Sequence, residues 1–81
     1  MVVKRMAEGK IRERRIVFSI RTMEEVRQLL KRFGAWIYTG DRLGDLEMME
    51  EELEEIYRLG MIDQEIYLAA RRVIGEEKRK M

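Results

Sequence analysis

Apolar residues recur along this chain in three stripes of helical period, each set off by its own start and stop signals. Val26, Leu29, Leu30 and Phe33 fall at i, i+3, i+4 and i+7, one face of a helix. Thr22 with Glu25 three residues on reads as a capping box, in which hydroxyl and carboxylate satisfy free amides at the helix start. Lys31 and Arg32 suit the negative end of that helix, and Gly34 is a left-handed stop. Leu46, Met49, Leu53, Ile56 and Tyr57 form a second stripe. Its helix starts somewhere between Asp41 and Asp45, with Gly44 weakening the first turn, and Gly60 stops it. Ile66, Ala70, Val73 and Ile74 form the third, with Asp63 as N-cap and Ile62 with Tyr67 spaced for a hydrophobic staple. Gly75 either ends this helix or costs it about 1 kcal/mol relative to alanine. The following "EEKRKM" is polar and expected to fray.

No one of these helices can bury its stripe alone, but three together can. The pattern therefore predicts an all-α fold, a small three-helix bundle over residues 22–78 with a polar tail at 79–81. Residues 1–21 show no convincing stripe and are expected to form an irregular or partly helical basic arm. Within it "IVFSI" has three readings: a short strand, a backward extension of the first helix, or loose packing on the bundle.

Composition narrows the function classes. Cysteine, histidine and proline are absent, which excludes thiol chemistry and the commonest general base and transition-metal ligand. The non-phenolic hydroxyls Ser19, Thr22 and Thr39 have no histidine to activate them. "GAWIYTG" lacks the lysine and hydroxyl residue of a phosphate-binding loop, so no enzyme is expected, nor a catalytic residue, metal or cofactor. Apolar runs such as Ile16 to Phe18 are far short of a membrane span, and the charged flanks of that run do not suit a signal peptide; the expected location is the cytoplasm.

The net charge of +1 conceals an uneven layout: +5 over residues 1–21, +1 over 22–40, −6 over 41–62 and +1 over 63–81. Lys4, Arg5, Lys10, Arg12, Arg14, Arg15 and Arg21 make an arm that suits polyanions, suits docking on the acidic helix, or is simply solvated. In the acidic run, Glu47, Glu50, Glu51 and Glu54 lie on adjoining turns, where a solvated face, a partner contact and a hard-cation site are the three readings. Met48, Met49 and Met61 fit ordinary helix packing.

The connector "RFGAWIYTGDR" carries Phe33, Trp36 and Tyr38, three of the six aromatics. If it is extended, Trp36 and Tyr38 share one side and Ala35, Ile37 and Thr39 the other. Two readings compete. In one, Phe33, Trp36 and Ile37 plug a thin core. In the other, Arg27, Lys31, Arg32, Trp36, Tyr38 and Arg42 form a basic edge with rings on which bases stack.

From Thr22 to about Lys78 the chain resembles the YqgQ-like family of small bacterial proteins. The resemblance rests on "QLLK" leading into Phe33-Gly34, the aromatic connector closing in "GDR", and the acidic helix that runs into Ile56-Tyr57. It implies a small three-helix bundle and, as a suggestion attached to that family's structure, single-stranded nucleic-acid binding. The family pattern starts close to Thr22, so nothing carries over to residues 1–21, and a start codon set upstream of the domain is one explanation for so unpatterned an arm. The expected function is a non-catalytic binding module holding single-stranded nucleic acid weakly through the connector and the end of the first helix. The alternative is a protein–protein adaptor, a homodimer included, with no membrane span and no small-molecule cofactor.

Overall fold

The computed structural model describes residues 20–81, together with the backbone of residues 2–5. The three stripes become three helices, α1 (Met23–Arg32), α2 (Arg42–Arg58) and α3 (Gln64–Arg79). The Thr22 capping box is formed as expected: Glu25 donates its amide to the Thr22 hydroxyl, and the Glu25 carboxylate accepts the Thr22 amide. Asp63 caps α3 by accepting the Ile66 amide at 3.0 Å. Asp41 stands at the N-cap of α2 with no side-chain cap bond.

The core is the sum of the three stripes. Val26, Leu29 and Leu30 meet Leu46, Met49, Leu53 and Ile56 from α2 and Ala70, Val73 and Ile74 from α3. Phe33 is only half-buried because it is the C-cap of α1 rather than its last turn, and Ile66 and Tyr57 are half-buried against the same core. Ile20, at the edge of the arm, Ala35 and Ile37, in the connector, and Ile62, in the α2–α3 turn, complete the core.

Helices α2 and α3 form an antiparallel hairpin tied at both ends. At the turn end the rings of Tyr57 and Tyr67 stack with centroids 4.3 Å apart. At the other end Lys78 reaches Glu50 at 3.1 Å, and Arg42 pairs with Glu77. These bonds correct the expectation of a frayed tail: α3 runs through Gly75 to Arg79, because the polar residues beyond Gly75 find partners on α2.

The connector is a strand, β2 (Ala35–Tyr38), entered through Gly34 at φ 87°. Residues Val2–Arg5 form β1 and pair with it antiparallel, Val2 opposite Tyr38 and Lys4 opposite Trp36. At residues 2–5 the arm is thus extended and laddered, against the expectation of irregular or partly helical chain. Lys10, Arg12, Arg14 and Arg15, and most of "IVFSI", lie outside the described residues. Among the described residues no helix is long and apolar enough to cross a membrane.

Candidate nucleic-acid interface

The inward stripe of α1 takes Val26, Leu29 and Leu30, so the residues between them must face out. Arg27 and Gln28 each lie three or four residues from both Glu24 and Lys31, which puts the four on one outer face. Strand β2 packs back against α1 and α2, and its pleat decides which side chains join that face. Ala35 and Ile37 point into the core; Trp36 is 46% exposed and Tyr38 63%. The conditional expectation for an extended connector is met. Ile37 is a core plug and Trp36 is not.

The outer face and the outward ring enclose an open groove of about 440 Å³ lined by Glu24, Arg27, Gln28, Lys31, Arg32 and Trp36. Lys31 Nζ lies 5.5 Å from the centroid of the Trp36 ring, within cation–π range. Behind the ring, the space shared with Arg27, Leu30, Ala35, Ile37 and Met49 is only about 10 Å³, so the indole is backed by packed chain. Three cations face one carboxylate in this groove.

Of the six residues expected at a nucleic-acid site, Arg27, Lys31, Arg32 and Trp36 come together here. Tyr38 occupies the next outward position on β2, beyond the groove. Arg42 does not line the groove; as the first residue of α2 it pairs with Glu77. Glu24 and Gln28 belong to the groove and were missed by sequence reasoning. The helical spacing that links them to Arg27 and Lys31 was the available signal. Gln28 Nε2 donates to Glu24 Oε2 at 3.4 Å.

Two local devices hold the site's elements in place. Beyond β2, the Thr39 amide donates to both oxygens of Asp45 at 3.0 and 3.2 Å, and the Thr39 hydroxyl donates to the same carboxylate. That clamp fixes the angle between the strand and α2, with Gly40 turning between them at φ 92°. At the start of α1, the Glu25 carboxyl is held below its ordinary value, chiefly by the Arg21 amide, which donates to it at 2.6 Å. On α3, the Tyr67 hydroxyl accepts from Arg71 Nη1 at 3.2 Å, which raises the guanidinium's pKa. Among the described residues no three acidic groups gather to hold a metal ion; in the acidic run Glu50 is instead paired with Lys78.

The fold defines a small three-helix domain with a strand inserted between its first two helices. The chain belongs to the YqgQ-like family, whose profile matches residues 20–80. That span includes Ile20 and all of α3, whereas the expected resemblance ran from Thr22 to about Lys78. It is 43% identical over 56 residues to "Uncharacterized protein YqgQ" of Bacillus subtilis (strain 168), a match that covers 69% of this chain and 79% of that protein. No solved structure matches the chain.

Proposed function

We propose that this protein is a non-catalytic binding module that holds single-stranded nucleic acid weakly in the α1–β2 groove. The observation that carries the reading is a half-exposed Trp36 flanked by Lys31, with Arg27 and Arg32 along the same groove. Single strands require cations that follow the phosphates and a flat ring for the bases, and each stack contributes on the order of 1–3 kcal/mol. One principal ring, with Tyr38 further along the strand, accounts for weak rather than tight binding. The acidic helix α2 repels phosphates and so directs a strand towards the groove on α1. This reading sets the protein at work in the cytoplasm.

Trp36 is the sole tryptophan, so its fluorescence reports occupancy of the groove directly. Titration with a short single-stranded oligonucleotide over a salt series is expected to give a log–log slope of about −2, three cations at about −0.7 each. Between 50 and 200 mM salt the affinity falls roughly twentyfold on that slope. Absence of quenching at low salt sinks the proposal.

A second reading has its own observation. Leu59, Met61 and Leu68 are 61%, 46% and 52% exposed near the α2–α3 turn. Self-association through that end predicts a melting temperature that rises with protein concentration and ignores polyanions.

A further inference from the structure

The groove's charge is divided along α1. Glu24 lies in the first turn and Lys31 and Arg32 in the last, about 10 Å apart at the helical rise per residue, with Arg27 between them. Gln28, one turn on from Glu24, donates to its Oε2 at 3.4 Å. Trp36 lines the same groove and carries Lys31 at its ring.

A carboxylate is out of place in a site that only follows phosphates, because it repels them. If a strand lies here, its phosphates belong at the Lys31 and Arg32 end. The base that stacks at Trp36 then turns its edge towards Glu24. In a single strand that Watson–Crick edge is free to be read. An ionised carboxylate only accepts, through two oxygens. Guanine offers two adjacent donors on this edge, N1–H and the N2 amino group, which match the two oxygens. Uracil and thymine present one donor between two carbonyl acceptors. Adenine and cytosine present one amino group beside an acceptor nitrogen. The other bases therefore leave an acceptor facing the carboxylate.

We propose that Glu24 reads the base in this groove and selects guanine in single-stranded nucleic acid. The inference rests on the groove reading above, and its test separates the two. The full chain is titrated, through Trp36 fluorescence, with pentathymidylate and with the same pentamer carrying one central guanine. Affinity is taken from the midpoint rather than the amplitude, since guanine itself quenches indole. The guanine pentamer is expected to bind on the order of tenfold tighter, the lower part of the range for a bidentate contact to a base. Glu24→Gln is expected to erase that preference and to tighten pentathymidylate, having removed a negative charge. Glu24 is exposed in the first turn, so the variant is expected to keep the fold, which circular dichroism is to check. Equal affinities in the unsubstituted protein, or a guanine preference that survives Glu24→Gln, overturn the selection of guanine by Glu24. Failure of both pentamers to bind overturns the groove reading itself.

Discussion

Replacing Ile37 by alanine is the sharpest perturbation of the connector, because its neighbour Tyr38 supplies the control. Ile37 is 8% exposed and Tyr38 63%, although the two are adjacent on one strand. Ile37→Ala removes three carbons from a site almost wholly out of water, worth about 0.8 kcal/mol each in transfer alone. The site has little room to have been relaxed beforehand, since the free space that Ile37 shares with Leu30, Ala35 and Met49 is about 10 Å³. The cavity left behind brings the cost to about 3 kcal/mol. A chain of 81 residues has a total stability of roughly 4–12 kcal/mol, so this is a large share of it. Urea unfolding followed by helical circular dichroism is the assay. With a slope near 1 kcal/mol/M for so small a domain, the midpoint of Ile37→Ala falls by about 3 M. Tyr38→Ala loses a mostly solvated side chain and costs less than about 1 kcal/mol. A larger loss for Tyr38→Ala than for Ile37→Ala refutes the orientation of the strand. A slip of one residue exchanges every inward and outward position, and Trp36 would then belong to the core.

Two other outcomes follow from the helix termini. Gly75 lies within α3, and a Cβ added there meets nothing within 4 Å, so Gly75→Ala is expected to stabilise the domain by about 0.4–1 kcal/mol and to raise the melting temperature by a few degrees. A fall on calorimetry means that α3 ends at Gly75. The Glu25 carboxyl is held below its ordinary 4.5 by amides of Arg21 and Thr22. The unfolded chain therefore binds its proton first, and the contribution of Glu25 is present above pH 4.5 and lost as pH falls through the lower folded value. Thermal melts from pH 6 down to pH 2 should show that loss, and Glu25→Gln should flatten it; an unchanged profile in the variant removes the capping box from the account.

The amino-acid order determined the helices and their inner faces, because both depend on residues within one or two turns of each other. A stripe such as Val26-Leu29-Leu30 and a cap such as Thr22-Glu25 can form only one kind of element, and both are present. The same locality made Arg27, Lys31, Arg32 and Trp36 legible as a group. It placed Trp36 and Tyr38 on a common side of the connector but could not say which side faces out. That choice belongs to α1 and α2, which pack against Ala35 and Ile37. The expected frayed tail is absent, and Arg42 lies outside the groove, for one reason. Glu77 lies 35 residues from Arg42 and Lys78 lies 28 from Glu50, and no local pattern marks those partners before α2 and α3 are side by side. Residues 2–5 found their ladder partners across a similar gap, at 35–38. Short-range periodicity thus decided what each segment is. The tertiary structure decided which polar groups are spent on the fold and which stay in the groove, because pairings between distant residues exist only once the chain has closed.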